Sequence, residues 1–216
     1  MFAKTIRDRL SVIEHYARTG SVLDLGCVDA RNARESADKR IEHKPNLLFK
    51  RLCEINNKTL GIDIDPVGVQ TLRGMGYSVE CADVETMELG RQFDTVVAGE
   101  LIEHLESPGR FLRNIRRHIK PDGTLIISTP NPFYCAQVWK IWRYGMPAVH
   151  EDHVNWQDPI TLKALLGRTG FDLVEGYWVQ PRTSFLKTWK RRFRGYFSHT
   201  FLMVATPKAE AGSAAG

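Results

Sequence analysis

The feature that most constrains the fold is a regular alternation of short apolar runs with segments of helical periodicity. The first three runs are "SVLDL" (21–25), "LGIDI" (60–64) and "YSVECA" (77–82). Two more follow, "FDTVVA" (93–98) and "GTLIIST" (123–129). Apolar runs of this length indicate buried strands, and strands that alternate with helices indicate a parallel sheet that is covered on both faces.

The remaining segments complete this pattern. Residues 2–18 space their apolar side chains at helical intervals and predict an amino-terminal helix. Ser107–Pro108 and Asp158–Pro159 pair an N-cap residue with a proline at the first helical position, so each predicts the start of a helix. The runs "FDLVEGYWV" (171–179) and "TFLMVAT" (200–206) predict a last, hairpin-like pair of strands at the sheet edge. We therefore expect an α/β fold, a doubly wound seven-stranded and mostly parallel sheet with helices on both faces.

Two connections depart from the simplest pattern. The crossover between the first two strands is longer than the dozen or so residues that a crossover needs. Its stretch "PNLLFKRLCEI" (45–55) has an amphipathic pattern and predicts a second helix there. The turn "KPDG" (120–123) is expected to end the helix that begins at Ser107–Pro108.

Length and composition set the domain organisation. With 216 residues, 43% of them hydrophobic, the chain suits one domain with a full-sized core. We assign residues 1–208 to a single domain, with a basic aromatic insert over 182–197, and residues 209–216 to a disordered tail. No apolar stretch is long enough to cross a bilayer, and the amino terminus lacks the apolar region of a signal peptide. The four cysteines form no CxxC pair, which favours reduced thiols and a cytoplasmic protein over a disulfide scaffold: Cys27, Cys53, Cys81 and Cys135.

The insert "RTSFLKTWKRRFRGYF" (182–197) combines aromatic residues at helical spacing with six basic residues. One interpretation is a helix that packs its aromatic stripe on the sheet and solvates its charges. The other is a contact surface for an anionic substrate, a membrane surface or nucleic acid. A second aromatic segment, "YCAQVWKIWRYGMPAV" (134–149), predicts a lid or an acceptor wall, with a core helix as the alternative. The net charge of +5 permits an acidic partner without requiring one.

Acidic residues and a glycine follow the first three predicted strands. Gly26, in "VLDLGCVDARNA" (22–33), lets the backbone approach a ligand, and the next helix would favour a carboxylate at its N-terminus. Asp63 ends the second strand, where it can accept hydrogen bonds from two ribose hydroxyls. Asp83 ends the third strand, where it can accept one from an adenine amino group. These positions predict a nucleoside site at the carboxyl edge of the sheet.

The order of these motifs resembles that of the class I S-adenosylmethionine-dependent methyltransferases. The resemblance covers roughly residues 20–180 and rests on "VLDLGC", "GIDID", "ADVE", "FDTVVAGELIEHL", "IKPDG" and "ISTPNPF". The family has glycines where this chain has Val28 and Ala30, which predicts some crowding of the methionine moiety and leaves a non-catalytic binding protein with a decayed pocket as an alternative. The resemblance implies a Rossmann-like fold, S-adenosyl-L-methionine as cofactor, and these cofactor-binding residues: Asp24, Gly26, Cys27, Asp63, Ile64, Asp83, Val84 and Gly99.

The stretch "GELIEHL" (99–105) concentrates ionisable side chains directly after the fourth strand. Glu100, Glu103 and His104 have the spacing of one helical face. The segment "HEDHVNWQDP" (150–159) adds two further imidazoles. Carboxylates combined with imidazoles suit a divalent ion such as Mn²⁺ and tolerate Mg²⁺. An ordinary amphipathic turn would show the same triplet, so a charged surface turn remains the alternative.

An ExxEH turn followed by a distant histidine resembles two metal-dependent O-methyltransferase families. They are the ubiquinone-biosynthesis O-methyltransferases and the small-RNA 2′-O-methyltransferases. The resemblance implies a metal site made of Glu100, Glu103, His104 and His153, with His150 as a substitute for His153. The residues expected to take part in catalysis are His104, Glu103 and His150, with His104 or His150 as the proton acceptor.

The expected reaction is O-methylation of a diol or catechol hydroxyl, assisted by a divalent metal such as Mg²⁺ or Mn²⁺. The expected acceptor is a small molecule, a sugar or a lipid-linked glycan. Methylation of an RNA ribose 2′-hydroxyl is the alternative, although the sequence contains no recognisable RNA-binding module. Peripheral attachment to a membrane through residues 182–197 is a further option for this otherwise cytoplasmic protein.

Overall fold

The computed structural model describes residues 4–29, 41, 47–180 and 194–209, and the structural statements that follow refer to these residues. They contain a single sheet in the order β1-β7-β8-β6-β5-β2-β3-β4. β8 runs antiparallel to both of its neighbours, and every other adjacent pair is parallel. The strands are β1 (Lys4–Ile6), β2 (Val22–Leu25), β3 (Thr59–Asp63), β4 (Val79–Cys81), β5 (Phe93–Gly99), β6 (Ile119–Pro130), β7 (Phe171–Val179) and β8 (Thr200–Pro207).

Helices connect most of these strands, and two of them begin as the sequence predicts. Pro108 opens one helix directly after Ser107. The Asp158 side chain accepts hydrogen bonds from the backbone of Ile160 and Thr161 in a capping box, which fixes the start of another. The helices are α1 (Leu10–Ala17), α2 (Leu48–Ile55), α3 (Pro66–Gly74), α4 (Pro108–His118), α5 (Cys135–Tyr144), α6 (Pro159–Arg168) and α7 (Arg194–Phe197), with a 3₁₀ turn at Ile102–His104.

The core lies on both faces of the sheet. On one face, Phe111 and Ile115 of α4 pack with Leu162 of α6 against the central strands. On the other face, Ile13 of α1 and Leu52 of α2 pack against the same strands. Parallel strands that are buried on both sides need apolar residues at successive positions, which explains why the sequence shows runs rather than alternation.

The mostly parallel α/β architecture is confirmed, whereas three details of the prediction are wrong. The sheet has eight strands rather than seven, because Lys4–Ile6 form β1 and the first helix begins only at Leu10. The last two strands do not form the edge, since β8 lies between β6 and β7, and β1 pairs with the outer side of β7. The turn at 120–123 lies inside β6, where the pairing with β5 is irregular, and α4 has already ended at His118.

Several sequence-based expectations fall outside the described residues. They include the side chain of Ala30, most of the 182–197 insert, and residues 210–216 of the tail. Within the described part, all four cysteines are free thiols, as predicted. The predicted second crossover helix is confirmed as α2 over residues 48–55. None of the described helices combines the length and the apolar character needed to span a bilayer.

Helix α5 is unusual because none of its residues is buried. Its aromatic side chains face outward, with Trp142 80% exposed and Trp139 and Tyr144 also largely exposed. The interpretation of this segment as a core helix is therefore wrong. The alternative prediction, a lid or acceptor wall, is compatible with this exposure.

Candidate functional site

A cavity of about 410 Å³ lies at the carboxyl ends of the central strands. Its position is where open α/β sheets bind their ligands, and its volume is typical of a small-molecule site. The structure brings the complete predicted cofactor set together along its wall, although the role of each residue in binding stays a prediction. The eight residues are Asp24, Gly26, Cys27, Asp63, Ile64, Asp83, Val84 and Gly99.

Asp24 provides a buried acceptor in this cavity. Its side chain is 2% exposed, and its Oδ1 atom has no hydrogen-bond partner among the described residues. Burial raises the pKa of Asp24 to about 8, with Arg9 opposing the shift and Asp63 adding to it. A buried carboxylate oxygen without a partner is costly, so a ligand that brings a cationic amino group would be stabilised there.

Arg9 provides a cation in the same cavity. Its Nη1 donates a hydrogen bond to Ser128 Oγ over 3.0 Å and lies 3.2 Å from Glu100 Oε1. The contact with Glu100 is ionic rather than a hydrogen bond, because Glu100 Oε1 is buried without a hydrogen-bond partner among the described residues. Gly99 makes room for this arrangement: a Cβ there would lie 3.7 Å from Arg9 Nη1 and 2.9 Å from a side-chain carbon of Leu48.

The acidic end of β3 is oriented by backbone hydrogen bonds. Asp63 accepts from the N–H of Val28 over 2.9 Å and from the N–H of Asp65 over 3.0 Å, one bond to each carboxylate oxygen. Each oxygen can accept a further hydrogen bond, so two hydroxyl donors can still be bound. Burial raises the pKa of Asp63, and the backbone hydrogen bonds oppose that shift. Beside it, Ile64 lines the cavity with its side chain 70% exposed, an apolar surface on which a flat ring can pack.

Val28 does not crowd the cavity. Its side chain is 1% exposed and packs in a small core with Phe49 and Val69. A Cβ added at Gly68 would lie 2.3 Å from Val28 Cγ1, so the glycine on α3 leaves the space that the valine fills. The expected conflict between Val28 and the methionine moiety is therefore wrong, because the side chain points into the protein.

The stretch 99–105 does not form the single helical turn that the spacing predicts. Glu100 has a φ of 55°, in the left-handed region, and only Ile102–His104 form a 3₁₀ turn. The backbone N–H of Glu100 donates to the carbonyl of Ser128 over 2.9 Å, which holds this conformation at the end of β5. The premise that Glu100 shares a helical face with Glu103 and His104 is therefore wrong. Its assignment as a metal ligand stays a prediction.

Three of the four predicted metal ligands do come together. One ligand atom each from Glu103, His104 and His153 lie within 4.8 Å of one another. Glu103 is 1% exposed, and its Oε2 accepts a hydrogen bond from Thr129 Oγ1 over 2.9 Å. One buried carboxylate and two imidazoles form a donor set that suits a divalent transition metal. The metal itself stays a prediction.

We call Glu103, His104 and His153 the metal group. The surroundings of this group orient its imidazoles. Nδ1 of His104 lies 3.2 Å from the carbonyl oxygen of Asp152, so its N–H donates there and Nε2 carries the lone pair. The ring of His150 lies 5.7 Å from that of His153 and 6.4 Å from that of His104. His150 therefore lies beside the metal group, within reach of a ligand bound there.

Asn155 attaches the histidine loop to the 3₁₀ turn. Its Nδ2 donates to the carbonyl oxygens of Ile102, over 2.9 Å, and Leu105, over 2.8 Å. The backbone N–H groups of Val154 and Asn155 both donate to the carbonyl oxygen of Glu103. These bonds keep two segments that are about 50 residues apart in the sequence at one place. They therefore help to hold the His153 segment beside Glu103 and His104.

A profile of a family described as a methyltransferase domain matches residues 2–176. The chain belongs to this family. Together with the fold and the cavity, this makes it a class I S-adenosylmethionine-dependent methyltransferase. Among curated methyltransferases, it is 44% identical over 100 residues to the ubiquinone biosynthesis O-methyltransferase of Rickettsia typhi, across 43% of this chain and 39% of that protein. It is 32% identical over 118 residues to the protein of the same name from Azorhizobium caulinodans, across 51% of this chain and 44% of that protein.

The matched segments thus span about two fifths of the length of these curated relatives. Solved methyltransferase structures share the fold over a larger part of the chain. An S-adenosylmethionine-dependent methyltransferase from Archaeoglobus fulgidus has a TM-score of 0.62 and 18% identity, with 92% of this chain and 91% of that chain covered. The magnesium protoporphyrin IX methyltransferase of Synechocystis PCC 6803, with bound S-adenosylhomocysteine, has a TM-score of 0.61 and 15% identity, with 92% and 79% covered.

Sequence reasoning missed two residues that shape this methyltransferase site. Arg9 lies well before the first predicted strand, in no motif, and only the fold brings it to the cavity. Asn155 lies within the quoted histidine segment, but nothing in its spacing indicates that its amide binds two carbonyl groups of a distant turn. Its position two residues after His153, a metal-ligand candidate, is the one signal that pointed toward it.

Proposed function

We propose that this methyltransferase transfers the methyl group to a hydroxyl oxygen with the help of a divalent metal held by Glu103, His104 and His153. The observation that carries the proposal is the meeting of these three side chains beside the cofactor cavity, which His104 also lines. Relatives named ubiquinone biosynthesis O-methyltransferase support oxygen as the methylated atom. Glu100 is the fourth candidate ligand.

The cavity suits the charges of S-adenosylmethionine. The unpartnered Oδ1 of Asp24 can accept a hydrogen bond from the ammonium group, and the guanidinium of Arg9 can bind the carboxylate. Asp63 can accept from the ribose hydroxyls, and the exposed side chain of Ile64 can pack on the adenine ring. Each of these four residues thus matches one part of the cofactor in charge or in shape.

The acceptor hydroxyl must lose its proton as its oxygen attacks the sulfonium methyl. A bound divalent cation supplies the Lewis acidity that lowers the pKa of such a hydroxyl. His150 is placed to take the proton, because its ring lies beside those of His104 and His153. The carbon–sulfur bond breaks as the oxygen–carbon bond forms, and its electron pair stays on sulfur. The products are the methyl ether, S-adenosylhomocysteine and a protonated imidazole.

The surroundings of the metal group favour an acceptor with an apolar part. Helix α5, with its exposed Trp139, Trp142 and Tyr144, ends at Tyr144, six residues before His150. An aromatic ring or a lipid-linked group could pack on these side chains while its hydroxyl reaches the histidines. We therefore favour a catechol-type or lipid-linked acceptor. A cytoplasmic location with attachment to a membrane surface remains a prediction.

Metal binding tests the proposal directly. Purified protein is loaded with Mn²⁺ in the presence of saturating S-adenosylhomocysteine, passed through a desalting column that contains the same ligand and analysed for manganese, together with the variants Glu103→Gln and His153→Ala. We expect about one ion per chain in the wild type and a loss of at least about tenfold in affinity for each variant, because each removes one of three ligands.

His15→Ala is the matched control, since His15 is exposed on α1 and distant in sequence from the metal group. It should bind Mn²⁺ like the wild type, and S-adenosylhomocysteine should bind to all four proteins. Equal manganese content in the wild type and in both ligand variants would refute the proposed metal site while leaving the cofactor site intact.

A further inference from the structure

Glu100 has an unfavourable backbone conformation and a carboxylate whose hydrogen bonds are incomplete. Its backbone is in the left-handed region, which is unfavourable for a residue with a side chain. Its Oε1 is buried and has no hydrogen-bond partner among the described residues, although Arg9 Nη1 lies 3.2 Å away. A buried carboxylate with an incomplete set of hydrogen bonds gains from moving its side chain to better ligand contacts.

The metal group offers such contacts. Glu100 and His104 line the same cavity and are four residues apart. The metal group provides three side-chain ligands, and divalent ions of the Mg²⁺ and Mn²⁺ type take about six. A fourth ligand can therefore be added without displacing any of the three. In the present arrangement the Glu100 carboxylate is paired with Arg9 instead.

The cofactor competes for that same arginine. Among the described residues that line the cavity, Arg9 is the only arginine or lysine. Within this described part of the cavity, an amino-acid carboxylate has no other strong cation to bind. When the cofactor takes Arg9, Glu100 loses its counter-ion in a buried site, where an unpaired carboxylate is costly.

We propose that Arg9 couples the two ligands of this enzyme: the cofactor's carboxylate displaces Glu100 from Arg9, and Glu100 then joins the metal group as its fourth ligand. The inference rests on the proposed metal-assisted function and adds a binding order to it. Metal affinity is low until the cofactor is bound, so the acceptor hydroxyl is activated only when a methyl donor is present. Because coupling is reciprocal, the metal must strengthen cofactor binding by the same factor.

The test measures Mn²⁺ affinity from the electron paramagnetic resonance signal of free Mn²⁺, with and without a saturating adenosine ligand. S-adenosylhomocysteine is the main ligand, because it has the carboxylate without the sulfonium charge that would repel the metal. 5′-Methylthioadenosine is the control ligand, because it binds as a nucleoside but has no amino-acid part. We expect S-adenosylhomocysteine to raise Mn²⁺ affinity by about tenfold, within the usual range of coupling between sites, and methylthioadenosine to leave it unchanged.

Two variants change the coupling in opposite ways. Glu100→Gln should keep the low Mn²⁺ affinity with either ligand, because the fourth carboxylate is missing. Arg9→Gln should show the high affinity without any ligand, because Glu100 is no longer held. Glu106→Gln, which removes an exposed carboxylate two residues after His104, should behave like the wild type.

The outcomes separate this inference from the proposed function. Mn²⁺ binding that is the same with and without S-adenosylhomocysteine would overturn the coupling and leave the metal site standing. The coupling is also overturned, and the metal site left standing, if Glu100→Gln keeps the full tenfold effect of S-adenosylhomocysteine on Mn²⁺ affinity. The same conclusion follows if Arg9→Gln without ligand binds Mn²⁺ no more tightly than the wild type. A wild type that binds no Mn²⁺ under any condition would overturn both. Thermal unfolding and binding of 5′-methylthioadenosine, which does not need Arg9, establish that each variant is folded, and Arg9→Gln tests the coupling even if Glu100→Gln is not folded.

Discussion

At the scale of single residues, Asp24 links cofactor binding to protonation. Burial raises its pKa to about 8, so at pH 7 most of the protein without cofactor carries a proton on this carboxyl group. The ammonium group of the cofactor pairs with the ionised form. Binding therefore expels the proton, and affinity should increase as the pH rises toward 8 and then level off.

We predict the release of about one proton per bound S-adenosylhomocysteine at pH 7, since a group with a pKa of about 8 is about nine-tenths protonated there. Calorimetry in two buffers of different ionisation enthalpy measures the release. Asp24→Asn should bind more weakly and release no proton. Asp83→Asn removes a carboxylate at the end of a different strand but keeps Asp24, so it should keep the release. A binding enthalpy that is independent of the buffer would contradict this role for Asp24.

Single residues also show where sequence reasoning succeeds. Asp63, Asp83 and Gly99 follow parallel strands, and the carboxyl ends of parallel strands meet at one edge of the sheet, so their convergence on the cavity follows from the strand pattern alone. The side-chain direction of Val28 does not follow from it. Whether a valine fills the cavity or the core depends on the space beside Gly68, which belongs to a helix 40 residues further along.

At the scale of elements, the histidine loop and the 3₁₀ turn act as one unit. Asn155 joins them through two hydrogen bonds to carbonyl oxygens, so the position of His153 relative to Glu103 depends on its amide. Removing the amide should loosen the metal group while leaving every metal ligand in place.

We predict that Asn155→Ala weakens Mn²⁺ binding by about tenfold or more, the usual effect of losing a group that orients metal ligands. The same titration of free Mn²⁺ measures it, in the presence of S-adenosylhomocysteine. Gln157→Ala is the matched control, because its amide donates to Asn155 Oδ1 and its loss leaves both carbonyl contacts in place. If the two variants bind Mn²⁺ equally well, Asn155 does not position the metal group.

Elements differ in how well the sequence predicts them. The long strands β5, β6 and β8 are clear because strands inside a sheet that is covered on both faces need continuous apolar runs, whether their neighbours are parallel or, as for β8, antiparallel. β1 has three residues, two of them exposed, and is a strand only because β7 provides hydrogen bonds. Glu100 departs from the helical spacing of its motif for a similar reason, since its left-handed backbone is held by a bond to Ser128 on β6. Local periodicity carries no information about such long-range partners.

At the scale of the whole molecule, the edge of the sheet opposite the cavity depends on Asp94. Its Oδ2 accepts from the backbone N–H and the hydroxyl of Ser21, both over 2.7 Å, and its Oδ1 accepts from Lys120 Nζ over 2.8 Å. Ser21 precedes β2, Asp94 lies in β5 and Lys120 lies in β6, so one carboxylate joins the beginnings of three central strands. Gly20 approaches it so closely that a Cβ there would lie 2.6 Å from Asp94 Cβ.

This carboxylate gives the fold a dependence on acid that can be measured. The hydrogen bond from Lys120, followed by those from Ser21, lowers the pKa of Asp94 to about 2. In the unfolded chain an aspartate titrates near pH 3.9, so the stabilisation is complete above about pH 5 and is lost as the pH falls toward 2. We predict that Asp94→Asn lowers the free energy of unfolding by about 1 kcal/mol at pH 7, a value reduced for the partial exposure of the group. The difference from the wild type should shrink between pH 5 and pH 3 in urea titrations.

Asp172→Asn, at an exposed position of β7, should leave the free energy of unfolding unchanged throughout that range. A deficit for Asp94→Asn that stays constant from pH 7 to pH 3 would mean that shape, and not charge, makes Asp94 important to the sheet.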